Sequence, residues 1–169
     1  TIYALAILDT FIYLAGTVFG FWSNAHDFAT VVYNDPTWLI LPGRAVMVGF
    51  GLWSVWLTFR LGRELFDHRV GLGAALLVAI SPLHVAYSQV IRSDIMATCF
   101  MLLSLLAALR FGRGGAIRDL ILASVWVALA TITKWPFALS GLGVAGMCYL
   151  RLSEGRESFA SACGKLIAF

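Results

Sequence analysis

Charged residues are scarce in this chain of 169 residues: they make up 12% of the sequence, while hydrophobic residues make up 60%. Soluble domains carry about 25% charged and about 45–50% apolar residues. A soluble chain of this composition would have too little polar surface to cover itself, whereas a bilayer accepts apolar side chains on the outside of a protein. The composition therefore excludes an ordinary soluble domain and predicts an all-α, polytopic membrane protein.

Cysteine and grouped metal ligands are also rare. The three cysteines, Cys99, Cys148 and Cys163, have no ligand spacing, so neither a disulfide framework nor a metal site is indicated. No Gly-rich phosphate loop occurs either. No cofactor is evident, and a divalent metal remains open without being indicated. The net charge of +3 does not indicate nucleic acid, because the basic residues lie between apolar runs, where they set membrane topology.

Apolar stretches of near-spanning length predict a bundle of about five to six transmembrane helices. A helix needs about 20 residues to cross the hydrocarbon core, so the two shorter stretches must extend into flanking residues. The short connections predict antiparallel neighbours. The stretches are 1–22, 41–60, 70–91, 95–110, 117–135 and 137–152. The first of these either crosses or lies at the interface, and the polar segment 23–37 that follows is expected to be an external loop with a turn at Asp35-Pro36.

The basic residues divide unequally between the two sides of such a bundle. If the spans alternate, nine fall on one side: Arg60, Arg63, Arg69, Arg110, Arg113, Arg118, Arg151, Arg156 and Lys165. Three fall on the other: Arg44, Arg92 and Lys134. The positive-inside rule assigns the nine to the cytoplasm. The sequence therefore places Arg44, Arg92 and Lys134 on the external face.

A polar strip follows Pro82, which is expected to break or kink its helix. The strip contains His84, Tyr87, Ser88, Gln89, Arg92 and Asp94. Asp94 begins the next apolar run, so it suits either an N-cap or an acid facing an external cavity, and the two roles are compatible. An isolated His84 is more typical of a packed polar residue than of a ligand.

The two other external cations each allow two interpretations. Arg44 in Leu41-Pro-Gly-Arg-Ala45 opens a helix, where it either extends to lipid headgroups or binds a phosphate or carboxylate. Lys134, beside Trp135, is either an interface anchor or a contact to a lipid phosphate. His26, Asp27 and Asp35 are expected to be ordinary loop residues. Cations with one acid at the membrane–water boundary suit a phosphate-bearing lipid substrate.

Several segments together resemble a known enzyme family. Gly43-Arg44, Leu61-Gly-Arg-Glu-Leu-Phe66, Ala79-Ile-Ser-Pro-Leu-His84, Tyr87-Ser-Gln-Val-Ile-Arg-Ser-Asp94 and Ala128-Leu-Ala-Thr-Ile-Thr-Lys134 occur in this order. In order and spacing they resemble the membrane glycosyltransferases of the C superfamily, and more narrowly the protein O-mannosyltransferase and aminoarabinose-transferase type (glycosyltransferase family 39). The similarity covers about four fifths of the chain, although each segment alone is degenerate.

The resemblance implies transfer of a mannose-like hexose or an aminoarabinose-like sugar from a polyprenyl-phosphate carrier to a protein or lipid acceptor. The reaction would occur on the external face of a bacterial-type plasma membrane. Arg44 would contact the donor phosphate, Lys134 would hold the lipid phosphate, and Asp94 would be the second acid of the cavity. Arg92 shares that face and joins the candidate phosphate ligands. The lipid bilayer is the remaining partner, and no nucleic acid is expected.

The resemblance also concerns what precedes Thr1. The family's catalytic base lies early in the first external loop, which makes residues 1–40 the latter part of that loop and 41–169 a helical bundle incomplete at both ends. We therefore expect an internal fragment, inactive alone, and do not assign the base to Asp9, Asp27 or Asp35. Two other functions stay open on the residues alone: a transporter or flippase segment, and a non-catalytic membrane subunit.

Overall fold

The computed structural model describes residues 2–154, with side chains from Leu5 onward, and every regular element in this part of the chain is a helix. The all-α prediction is confirmed. The helices are α1 (Ile2–Val18), α2 (Ala25–Asn34), α3 (Thr37–Leu65), α4 (His68–Ile80), α5 (Pro82–Gln89), α6 (Ser93–Gly114), α7 (Ile117–Thr133) and α8 (Ser140–Ser153). A short 3-10 helix, Trp135–Leu139, joins α7 to α8. Arg156, Cys163 and Lys165 lie outside the described residues.

Two of the described helices, α3 with 29 residues and α6 with 22, are long and apolar enough to cross a membrane. A third span results if α4 and α5 are counted as one bent element. Large hydrophobic side chains are exposed on the outer faces of these helices, among them Leu52, Leu72, Leu76 and Leu77. Such surface suits lipid rather than water. The chain is therefore an integral membrane protein.

The predicted apolar stretch 41–60 lies inside α3, which begins four residues earlier at Thr37. Asp35 ends α2 in an extended conformation, and its Oδ1 accepts a hydrogen bond from the backbone N–H of Thr37 at 3.0 Å. Hydrogen bonds from Thr37 also hold the pKa of Asp35 below its ordinary value. The predicted turn at Asp35-Pro36 is thus present. Pro42 lies inside α3, so this proline does not mark the start of the helix.

The segment between the first two apolar stretches contains a helix that the sequence reading treated as loop. In α2 the side chain of Asn24 accepts from the backbone N–H of Asp27 at 2.9 Å, which caps the helix N-terminus. The preceding Trp22 is buried, and its Nε1 donates to the carbonyl of Tyr13 at 2.8 Å. This hydrogen bond fixes the turn between α1 and α2.

The predicted break at Pro82 is confirmed. Helix α4 ends at Ile80, and α5 leaves it at an angle of 61°. Pro82 has no N–H to continue the backbone ladder. Ser81 instead caps α5, with its Oγ accepting from the backbone N–H of His84 at 3.5 Å. The bend carries the polar strip of α5 sideways over α3 and towards the beginning of α6.

Helix α6 is the centre of the bundle, since 56% of its spanning window is buried, against 22% for α3. Small side chains line its contacts, as is usual where membrane helices approach closely. Ala107 and Ala108 pack with Ala123 of α7 and Val144 of α8. Cys99 packs with Leu57 of α3, where its side chain fills space as a small apolar group.

Helices α3 and α6 run parallel with a constant offset of 49 residues. Cys99 Sγ contacts the carbonyl of Phe50 at 3.1 Å, and Arg113 Nη1 pairs with Glu64 Oε2 at 2.7 Å. The same offset, applied at the start of α6, places Arg44 level with Ser93 and Asp94 along the helix axes. A hypothetical Cβ on Gly43 would lie 2.9 Å from Ile91 Cδ1, so α3 meets the chain before α6 at this height.

Candidate functional site

Asp94 lies in the first turn of α6, one residue inside the helix. The N-cap position belongs to Arg92, whose side chain makes no capping hydrogen bond. The N-cap interpretation of Asp94 was therefore wrong, because Ser93 already has helical geometry and Asp94 lies within the first turn. The carboxylate faces α7 and an adjoining cavity instead.

The carboxylate of Asp94 lies between two cations. Lys134 Nζ donates to Asp94 Oδ1, and Arg92 Nε lies 3.4 Å from Asp94 Oδ2. The Arg92 guanidinium also lies 5.1 Å from the centre of the Tyr87 ring. Arg92, Asp94 and Lys134 form what we call the charged cluster. Two positive groups and one negative group give it a net charge of +1, which favours an anionic ligand.

Asp94 Oδ2 is buried and makes no short hydrogen bond to a described group; its contact to Arg92 Nε, at 3.4 Å, is a longer ion pair. A carboxylate oxygen can accept more than one hydrogen bond. A hydroxyl group bound beside Asp94 could therefore donate to this oxygen as well.

A cavity of about 530 Å³ opens beside the charged cluster. Small-molecule sites in proteins range over about 300–1,000 Å³, so this one could hold a sugar. Polar groups and apolar side chains both line it: Ser81, His84, Tyr87, Asp94 and Thr98, with Leu77, Val78, Leu83, Ile95 and Phe137. The bend at Pro82 creates this space, because it moves α5 away from the axis of α4.

Arg44 lies apart from the charged cluster. It is exposed, and among the described residues no hydrogen bond or ion pair to it is found. The sequence reading placed it at a helix N-terminus, but α3 begins at Thr37, so Arg44 is in the third turn. The parallel register still puts it at the height of Asp94. The structure therefore brings Arg92, Asp94 and Lys134 into contact and leaves Arg44 at the same level without a partner.

The acids of the N-terminal segment serve local structure. Asp27 Oδ2 accepts from the backbone N–H of Ser23 at 3.3 Å, and Asp35 accepts from Thr37. The loop prediction holds for Asp35 but was wrong for His26 and Asp27, which lie in the first turn of α2. Within residues 2–154, no group of three or more His, Cys, Asp or Glu side chains could hold a metal ion.

His84 is the residue that sequence reasoning undervalued. It lines the cavity with Asp94, and its Nε2 lies 3.4 Å from Ser54 Oγ of α3. Its place in the polar strip was the available signal. The contact itself was not readable, because Ser54 is 30 residues earlier in an otherwise apolar span.

Comparison with known protein families gives one match. The family model for dolichyl-phosphate-mannose-protein mannosyltransferase matches residues 10–169. Neither the curated proteins nor the solved structures provide a match. The matched segment includes every described residue of the charged cluster and of the cavity wall. The chain therefore belongs to the dolichyl-phosphate-mannose-protein mannosyltransferase family of membrane glycosyltransferases.

Proposed function

We propose that the full-length protein transfers a mannose-like hexose or an aminoarabinose-like sugar from a polyprenyl-phosphate donor to a protein or lipid acceptor on the external face of the membrane. The carrying observation is the charged cluster of net charge +1 at the edge of the cavity. The family assignment favours this function over a transporter segment or a non-catalytic subunit.

The chemistry requires stabilisation of a leaving phosphate. Charge develops on the phosphate oxygen as the bond to the sugar breaks, and cations held in place beforehand lower the barrier. Lys134 and Arg92 are held in this way by Asp94. We assign them to the single phosphate of the lipid-linked donor, and we assign Arg44 to the same phosphate from the exposed side.

Asp94 has a different role in this scheme. Because its Oδ1 already accepts from Lys134, we assign it the orientation of the leaving group or the acceptor rather than removal of the acceptor's proton. It is the second acid of the cavity. Its Oδ2, which has only the 3.4 Å ion pair with Arg92 and no shorter hydrogen bond, supplies the acceptor for a substrate hydroxyl.

The proposed external position of the site follows from the distribution of charge. Arg113 and Arg151 pack around the C-terminal end of α6, while Asp94 and Lys134 meet at its N-terminal end. The end with most of the basic residues belongs in the cytoplasm by the positive-inside rule. The opposite end, with the cavity, then faces outward, where a lipid-linked donor reaches it from the bilayer.

The test uses the full-length protein in membranes with a polyprenyl-phosphate sugar as donor. Asp94→Asn and Arg44→Ala should each reduce sugar transfer by about 10-fold or more, since each removes a charge assigned to the reaction. Membrane insertion should be unchanged. Transfer at the wild-type rate in both variants would reject the assignment.

Matched control variants are available at the opposite end of the bundle. Asp119 occupies the first turn of α7 as Asp94 occupies that of α6, and Arg118 is exposed like Arg44. Asp119→Asn and Arg118→Ala should therefore transfer sugar normally. A loss in these controls equal to that in Asp94→Asn would show a general effect of surface charge instead of a site.

A further inference from the structure

A hydrogen bond within α3 determines which His84 nitrogen carries the proton. Ser54 is buried, and its Oγ donates to the carbonyl of Gly51 at 2.8 Å. The hydroxyl has one hydrogen, so towards His84 Nε2, at 3.4 Å, the Ser54 oxygen can only accept. His84 Nε2 is therefore the donor in this contact. In the neutral ring, Nδ1 is then the acceptor.

The surrounding contacts fix the direction of the ring. Ser88 Oγ donates to the His84 carbonyl at 2.7 Å and holds this turn of α5. Gly51 lets α5 come close to α3, since a Cβ there would lie 2.5 Å from Ser88 Oγ and 4.0 Å from His84 Nε2. The Nε2 edge of the ring thus faces α3. This leaves Nδ1 as the ring nitrogen available to the cavity.

Two residues with acceptor atoms then share the cavity wall, His84 and Asp94. The one ring contact of His84 among the described residues is made through Nε2, and Asp94 Oδ2 has the 3.4 Å ion pair with Arg92 but no shorter hydrogen bond. A ligand with hydroxyl donors would complement both residues. Phe137 and the aliphatic side chains of the same wall suit the apolar C–H face of a sugar ring. The charged cluster beside them would hold the phosphate to which such a sugar is attached.

We propose that His84 binds the transferred sugar, with Nδ1 accepting a hydrogen bond from one of its hydroxyl groups. This inference rests on the proposed function, because it takes the ligand to be the sugar of the lipid-linked donor. It makes His84 a substrate-binding residue whose tautomer is set by Ser54. The competing role is purely structural, in which His84 only links α5 to α3 through Nε2.

Two amide substitutions separate these roles. The side-chain oxygen of Asn reaches about as far as Nδ1 of His, and the side-chain nitrogen of Gln reaches about as far as Nε2. His84→Asn keeps an acceptor towards the cavity but loses the contact to Ser54. His84→Gln keeps the donor to Ser54 but loses the cavity acceptor. A sugar-binding role predicts that Asn is tolerated and Gln is not, and a structural role predicts the reverse.

The experiment measures dissociation constants of the full-length protein in detergent for two probes, polyprenyl phosphate and polyprenyl-phosphate mannose. His84→Gln should weaken binding of the mannose-bearing lipid by about 3-fold to 10-fold, the value of one neutral hydrogen bond, and leave polyprenyl phosphate unchanged. His84→Asn should bind both lipids as the wild type does. His68→Gln, at the opposite end of the bundle, where His68 lies against the Phe59 ring, is the matched control and should change neither constant.

The outcomes distinguish the two proposals. If both lipids bind the wild type and His84→Gln changes neither constant, or changes both equally, the role of His84 is rejected while the proposed function stands. If His84→Gln binds the mannose-bearing lipid as the wild type does while His84→Asn binds it more weakly, the sugar-binding role is also rejected and the structural role is supported. If neither lipid binds the wild type, the proposed function itself fails, and the sugar-binding role fails with it.

Discussion

Lys134 Nζ, at the C-terminal end of α7, donates to Asp94 Oδ1, in the first turn of α6. The pair closes the end of the α6–α7 hairpin that lies opposite the Gly115 turn. The Lys134 side chain is 34% exposed and that of Asp94 is 22% exposed, so water screens their attraction only in part. One contact therefore holds two helices together and places a cation beside the cavity.

A double-mutant cycle should detect this pair as a coupling in stability. Asp94→Asn and Lys134→Met should each lower the unfolding temperature in detergent, and the double variant should lose less than the sum, with a coupling of about 0.5–3 kcal/mol. The exposed pair Arg113–Glu64 is the control, and its coupling should stay below about 1 kcal/mol. Additive losses at Asp94 and Lys134 would show that the contact contributes nothing measurable.

A glycine contact joins α3 to α4 near the turn at Phe66. A Cβ on Gly71 would lie 2.7 Å from the carbonyl oxygen of Phe59 and 2.9 Å from the backbone nitrogen of Arg63. Backbone atoms cannot rotate away, so Gly71→Ala should lower stability by about 1–3 kcal/mol. Gly73→Ala is the matched control on the same helix, because nothing lies within 4 Å of its Cβ position. Thermal unfolding of the two variants in detergent should differ clearly, and equal stability would argue against close packing of α3 on α4.

Arg151 is more than a topology signal. It is buried, and its Nη1 donates to the carbonyls of Phe111 at 3.0 Å and Gly112 at 3.1 Å, at the end of α6. Arg151→Lys keeps the charge but replaces the guanidinium fork with a single ammonium group. We expect a loss of about 1–3 kcal/mol in stability, measured by thermal unfolding, with unchanged topology in a reporter fusion.

The matched control for Arg151 is Arg110→Lys, because Arg110 is exposed and also belongs to the basic side of the bundle. It should unfold like the wild type. If Arg151→Lys unfolds at the same temperature as Arg110→Lys, Arg151 acts through its charge alone.

Local signals in the sequence predicted the helices, but of the expected five to six spans two are long enough among the described residues, or three if α4 and α5 form one bent span. Contacts between distant segments decided the site. The apolar runs were sufficient to predict the helices around α6, and Pro82 was sufficient to predict the bend. The role of Asp94 was not readable, because its partner lies 40 residues away and an acid near the start of an apolar run suits an N-cap equally well. Ser54 gave no signal for the same reason. The apolar stretch gave no sign of the four residues that α3 adds before Leu41, so Arg44 was expected at the start of this helix.

The bend at Pro82 has a consequence for the surrounding lipid. Helix α4 has 13 residues and α5 has 8, and at 61° the second helix advances only about 6 Å along the axis of the first. Counted as one bent span, the two helices therefore cover about 25 Å, less than the hydrocarbon thickness of about 30 Å. A short span is matched to a bilayer by local thinning or by side chains that extend to the interface. Thinning beside α5 would bring the headgroup plane down to the level of the cavity, so that a lipid phosphate could reach Lys134 without leaving its leaflet.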